Sequence, residues 1–178
     1  MIQSALFLAL RGGARARILV GDYLYITAPE ALRRLLLWMD LAKEECTSGH
    51  FEVRLAEINL LQAHPESFHP KAWRIADQAG GLVVVGSSNI SKPALETGIE
   101  WNLIGNIAPK ERLHAEVLDA FAALWEQSTL LTDVVVERYA ESAARSRKLL
   151  LQPEAQDVLE EPKSPRPWQK NALDSLTQ

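Results

Sequence analysis

The 178-residue chain is poor in the features that would place it outside ordinary folded proteins. It has one cysteine, Cys46, which excludes a disulfide framework and a cysteine-rich zinc site. Nine glycines and nine prolines are too few for a fibrous or low-complexity chain. No apolar run approaches membrane-spanning length: Met1–Leu10 lacks a basic start and meets Arg11 and Gly12 at once. The expectation is a cytoplasmic protein, large enough for a core without covalent staples. An excess of positive charge is missing too. Lysine and arginine number 19 against 23 acidic residues, a net charge of -4, which weighs against a general polyanion binder, although binding depends on where charges cluster. The charge is unevenly spread: positions 1–78 are balanced and 79–178 hold the acidic excess, which points any anion site toward the N-terminal half. No His, Cys and Asp cluster has metal-ligand spacing, so metal-independent chemistry without a cofactor is expected. A Gly-x-x-x-x-Gly-Lys-Ser/Thr phosphate loop is also lacking, which argues against ATP hydrolysis by this chain alone.

What is present alternates between strand and helix patterns. Positions 5–10 and 17–21 read as short apolar strands about a turn at Gly12-Gly13, with Arg11, Arg15 and Arg17 lending positive character. Thr27-Ala28-Pro29-Glu30 reads as a helix start capped by Thr27. The helix should run from about Pro29 to Lys43 and bury Leu32, Leu35, Leu36 and Met39. Phe51–Ile58 alternates as a half-buried strand, and His69–Ile75 does the same. A turn at Ala79-Gly80-Gly81 precedes Leu82–Val85, an apolar run expected to be buried on both faces. A short helix is expected at 91–95, a strand at 98–104, and helices at Pro109–Gln127 and Thr132–Leu150. The first of these two helices should present Leu113, Val117, Phe121, Leu124 and Trp125 on one face, the second Val135, Val136, Tyr139 and Ala143. Positions 151–164, with two prolines and four carboxylates, read as a linker before a short amphipathic segment at 165–178.

Chemistry concentrates in the middle of the chain. On a strand His69 and Lys71 share a face, which sets an imidazole beside a fixed positive charge. Gly86-Ser87-Ser88-Asn89 follows an apolar strand and offers hydroxyls, an amide and backbone N–H groups to an anionic oxygen. Glu100 is placed to accept from one imidazole nitrogen and so to set which nitrogen reacts. These are the parts of a phosphate-handling site. The other histidines have plainer explanations: His64 lies in a loop, His50 beside a glycine turn, His114 on a helix face. Asp22, Tyr23 and Thr27 are candidates for the border of the site, although a turn and a cap explain them as well. Trp73 and Trp101 read as packing residues, with base stacking the lesser alternative.

The pattern His69-Pro70-Lys71, then Gly86-Ser87-Ser88-Asn89, then Gly98-Ile99-Glu100-Trp101-Asn102 resembles the phospholipase D superfamily. The wording, with Phe68 ahead of His69, resembles the nuclease-like branch found ahead of superfamily 2 helicases. The likeness is close over 51–105 and weaker over 1–150. It implies an α/β fold with one central mixed sheet flanked by helices on both faces. It implies His69 as nucleophile, Lys71 and Asn89 as holders of phosphate oxygens assisted by Ser87 and Ser88, and Glu100 as orienter of His69. The motif's later Asp is replaced here by Ala76, with Asp77 one position on. Arg166-Pro167-Trp168-Gln169 is similar to the entry of a helicase core, where Gln169 would read adenine. The implied organisation is a nuclease-like domain at 1–150, a linker at 151–164, and at 165–178 the start of a helicase core that continues in a longer polypeptide. The implied activity is hydrolysis of nucleic acid, with DNA the expected substrate. A catalytically silent binding or assembly module is the rival, and a lipid phosphodiesterase a poorer third. Because the family mechanism uses two histidines and this chain has one His-x-Lys motif, a homodimer sharing its active site is expected.

Overall fold

The structure is a computed structural model, and it describes residues 2–62, 68–89, 97, 99–108 and 112–150. The chain divides into two compact units, 1–143 and 144–178. The described part of the second unit consists of the last turns of a helix that begins in the first.

The first element corrects the sequence expectation. Ile2–Arg11 is a helix, α1, where a strand was expected over 5–10. Phe7 and Leu10 lie three residues apart and are buried on one face, a helical spacing that a short apolar run also satisfies. Gly12-Gly13 closes this helix instead of turning a hairpin. Gly13 has φ 88°, and the N–H groups of Gly12, Gly13 and Ala14 bond to the carbonyls of Leu8, Leu10 and Ala9.

Strand β1 (Arg15–Gly21), helix α2 (Pro29–Glu45) and strand β2 (His50–Ala56) follow. The two strands pair in parallel with Arg17 opposite Glu52 and Leu19 opposite Arg54, as a helical crossover permits. Ala28, not Thr27, occupies the cap position of α2 and makes no side-chain cap bond. Thr27 instead gives its carbonyl to the Tyr139 hydroxyl at 2.8 Å. The expected stripe of α2 is present, with Leu32 and Met39 buried and Leu35 and Leu36 partly so.

A second group of strands is β3 (Ala72–Ala76), β4 (Gly81–Gly86) and β5 (Asn102–Ile107), an antiparallel meander. The turn between β3 and β4 sits at Asp77–Gly80, where Asp77 Oδ1 accepts from the N–H groups of Ala79 and Gly80. Helix α3 (Arg112–Glu126), the two-residue strand β6 (Thr129–Leu130) and helix α4 (Asp133–Leu150) complete the described chain. Thr132 caps α4 as expected, its Oγ1 accepting from Val135 N–H at 3.3 Å.

The strands therefore form two three-stranded sheets, β1-β2-β6 and β3-β4-β5, where one central sheet was expected. Alternation identifies strands but carries no information about which strands pair across long connections. The α/β class stands, and the first sheet is flanked by helices on both faces. Phe51, Val53 and Leu55 on one face pack with Phe7, Leu10, Leu32 and Met39, and with Val135, Val136, Tyr139 and Ala143. On the other face Phe121 and Trp125 of α3 lie against Arg17 and Arg54.

The second sheet is far less covered. Only Val83 is buried in β4, while Leu82 and Val85 are exposed, against the expectation of burial on both faces. An apolar run fits a central strand, and β4 is central, but a three-stranded sheet gives it hydrogen-bonded neighbours without covering its faces. Trp101, expected to pack, is 84% exposed. The helix expected at 91–95, the linker at 151–164 and the segment 165–178 with Gln169 lie outside the described residues, as does His64. Among the described residues no helix is long and apolar enough to cross a membrane.

Candidate active site

Register brings the motif residues together. In the meander Ala72 faces Val85, so the residue before β3, Lys71, comes opposite the last residue of β4, Gly86. The Gly86 N–H donates to the Lys71 carbonyl at 3.1 Å. On its other side Gly86 faces Asn102, the first residue of β5. Three stretches distant in sequence thus end side by side at one edge of one sheet: His69–Lys71, Gly86–Asn89 and Glu100–Asn102. Gly86 is required at the junction. A Cβ there would collide with the Asn102 side chain and the Trp101 carbonyl.

His69 and Lys71 precede β3 and are not part of it, so the strand alternation argued from sequence is not what aligns them. They meet through their side chains. Lys71 Nζ lies 2.9 Å from His69 Nδ1 and 3.0 Å from Nε2, and donates to the His69 carbonyl at 3.3 Å. Near-equal distances to both nitrogens put the ammonium beside the ring and not along one lone pair. The imidazole also leans on the Tyr23 ring, with centroids 5.6 Å apart and planes inclined by 43°. Tyr23 follows the end of β1, and Gly21 at that end admits Phe68: a Cβ on Gly21 would come within 2.5 Å of the Phe68 ring. Sheet one therefore supplies a wall against which the Phe68-His69 backbone rests. Asp22 faces elsewhere, its Oδ1 accepting from the Ile58 N–H at 3.1 Å.

The Gly-Ser-Ser-Asn turn is held by two sets of hydrogen bonds, one at Ser87 and one at Ser88. The Ser87 hydroxyl donates to the Glu100 carboxylate and accepts from the Trp101 N–H, while the Ser87 N–H donates to the Trp101 carbonyl. The buried Ser88 hydroxyl donates to the Asn102 side-chain oxygen at 3.0 Å and accepts from its nitrogen at 2.7 Å. Asn89 is exposed beyond them. Glu100 therefore belongs with Ser87, and among the described residues no hydrogen bond joins it to His69. Ser88 is committed to Asn102 and Ser87 to Glu100 and Trp101, which leaves the Asn89 amide and the Lys71 amine as the polar side chains placed to approach a ligand.

The sequence places Asn102 in the quoted motif but assigns it no role, because a polar residue at a strand start does not show that it pairs with Ser88 across the sheet. Sequence reading weighed Tyr23 only as a border residue, yet Tyr23 is the ring that His69 leans on. The apolar strand ending in Gly21-Asp22 was the available signal. His50 lies apart, 3.3 Å from Glu52 on β2. The arrangement presents an imidazole, an adjacent lysine amine and polar groups from a glycine turn at one exposed end of the sheet. Set against known proteins, the chain matches no family model and no curated protein sequence.

Proposed function

We propose that the chain is a metal-independent phosphodiesterase acting on nucleic acid, DNA in the first instance, through a phosphohistidine intermediate. The observation that carries this reading is that the His69–Lys71 and Gly86–Asn89 stretches end side by side, joined by the Lys71–Gly86 backbone bond, with the Lys71 amine against the His69 ring. A nitrogen of His69 attacks phosphorus, the P–O bond to the leaving oxygen breaks, and that oxygen takes a proton. Water then attacks the phosphohistidine and returns the imidazole. Lys71 and Asn89 hold the non-bridging oxygens and offset the negative charge that builds on them. Ser87 assists from the turn, positioned by Glu100.

The leaving oxygen needs a second acid, which in this reading is His69 of a second copy. A homodimer with the two site edges facing is supported by the site-bearing sheet, where Ile75, Leu103 and Ile104 are 65%, 79% and 63% exposed. Apolar side chains in such numbers on one small sheet are the mark of a surface that meets a partner. The resemblance of the C-terminal segment to a helicase entry adds a further part: a helicase core in the same polypeptide, with Gln169 contacting adenine, in the cytoplasm. The test is cleavage of labelled single- and double-stranded DNA in EDTA. Cleavage by the parent chain and its loss in His69→Ala is the expected result. No cleavage by the parent, or equal cleavage by His69→Ala, would refute it.

One observation favours the second reading, a catalytically silent nucleic-acid-binding or assembly module. Glu100 is engaged by Ser87, so His69 lacks the carboxylate that the family mechanism gives it. DNA affinity without turnover, unchanged by His69→Ala, would decide for that module.

A further inference from the structure

The first sheet carries a charged face that the proposed chemistry does not use. Side chains alternate along β1, so Arg15, Arg17, Leu19 and Gly21 share one face. Register adds Glu52 and Arg54 of β2 to it, opposite Arg17 and Leu19. Arg54 is spoken for: it donates to Glu52 at 2.7 Å and to the Trp125 carbonyl at 2.9 Å, and lies over the Trp125 ring. Glu52 is likewise taken, by Arg54 and by His50. Arg17 opposes Glu52 in register but turns its guanidinium to Phe121 and Trp125, 5.0 and 5.3 Å from their centroids. Among the described residues neither Arg15 nor Arg17 has a carboxylate partner, and both are exposed.

The direction of this row matters. Gly21 ends it, and the Cβ that Gly21 lacks would point at Phe68, the neighbour of His69. The face bearing Arg15 and Arg17 therefore runs up to the residue beside the candidate nucleophile. From Arg15 to Gly21 the strand spans about 20 Å at ~3.3 Å per residue, room for several consecutive phosphates of one strand at ~3.4 Å of axis each. Two unpaired guanidiniums spaced by two strand residues, one of them steadied on an aromatic pair, suit a line of phosphates. The overall charge of -4 conceals this, because the acidic excess lies in the C-terminal half.

We infer that Arg15 and Arg17 form a track for the sugar-phosphate backbone of a nucleic acid, leading along β1 to His69. The inference rests on the phosphodiesterase reading of the site and adds the surface that holds the substrate outside it. The ligand chemistry is a run of phosphodiesters, and DNA, RNA and duplex are distinguished by the probes.

The experiment measures binding of short fluorescein-labelled single-stranded DNA, duplex DNA and single-stranded RNA to the His69→Ala chain, which cannot turn over its probe in the proposed mechanism. Salt is varied between about 50 and 200 mM. In this background Arg15→Ala and Arg17→Ala should each weaken the preferred probe about fivefold. The double variant should lower the slope of log affinity against log salt by roughly 1.4 for a single strand. Arg34→Ala, the same charge change on α2, should leave binding as it was. Arg17 packs on α3, so thermal melting is followed alongside. Arg15 is exposed on β1, and Arg15→Ala must show the effect at an unchanged melting temperature. Binding of no probe, or a double variant that binds with parental affinity and salt slope, overturns the track. If the parent chain binds through these arginines but cleaves nothing, the track stands and the hydrolase reading falls. If it cleaves and the arginine variants bind and cleave as the parent does, the reverse holds.

Discussion

Asp22, just past the end of β1, and Glu52 on β2 are carboxylates whose surroundings move them in opposite directions. Burial pushes the Asp22 carboxyl above its ordinary value and nearby Glu57 adds to this, against the Ile58 N–H and its own backbone. For Glu52 burial also pushes upward, but hydrogen bonds and charge from Arg54 and His50 outweigh it and leave the carboxyl below its ordinary value. The consequences for stability have opposite signs. A raised carboxyl favours the folded state at low pH and disfavours it once pH rises above the folded pKa. A lowered one contributes stability above the unfolded pKa, about 4.3 for a glutamate, and loses it as pH falls through the folded value. Asp22→Asn keeps an oxygen for the Ile58 N–H and removes the buried charge. It should raise the melting temperature at pH 7 and do so less at pH 4; a drop at pH 7 would show that the carboxylate itself is needed. Glu52→Gln should lower the melting temperature at pH 7, and the loss should shrink at pH 3. A third residue test belongs to Gly86. Gly86→Ala forces the Cβ into the Asn102 side chain and the Trp101 carbonyl, and should cost about 1–3 kcal/mol in chemical denaturation. No measurable change would mean that the sheet edge is looser than described.

At the scale of elements, the helices and the first sheet were largely legible in the sequence. Helix α2 and its stripe, the Thr132 cap and the apolar faces of β2 and α4 follow from periodicity and turn chemistry acting over a few residues. What could not be read was long-range. The short apolar run at 5–10 satisfies both strand and helix periods, and Gly12-Gly13 serves a hairpin or a helix end equally. Only packing of Phe7 and Leu10 into the core decides for helix. Strand alternation likewise could not say that β3, β4 and β5 form a sheet of their own. The stretches that meet at the candidate site were legible in sequence, because the meander's register brings the ends of β3, β4 and β5 side by side. The site's wiring was not: Ser87 with Glu100 and Ser88 with Asn102 are cross-strand pairings that no local pattern signals. Core predictions are correspondingly firm. Leu32→Ala or Val53→Ala, both fully buried, should destabilise by about 2–5 kcal/mol in chemical denaturation. A loss under 1 kcal/mol would mean these side chains are not packed as described.

Across the described residues the first sheet is packed by helices, whereas the second, which holds the candidate site, leaves much of its apolar surface exposed. Leu103 and Ile104 of β5 and the adjoining Trp101 are open to water beside the candidate site, which suits the proposed homodimer. Sedimentation at micromolar concentration should give a dimer. Leu103→Glu combined with Ile104→Glu should give a monomer that retains its fold and loses cleavage. A parent chain that sediments as a monomer would contradict the shared site. The central claim is that His69 becomes covalently bonded to phosphorus, and the most direct measurement is to trap that bond. The parent chain is mixed with an oligonucleotide in EDTA, quenched rapidly in base and digested, and the peptide carrying His69 is weighed by mass spectrometry. The account predicts a nucleotidyl adduct on His69 that is lost in acid and absent from His69→Ala. Cleavage of the oligonucleotide at full rate by His69→Ala, or no adduct and no cleavage by the parent, would contradict it.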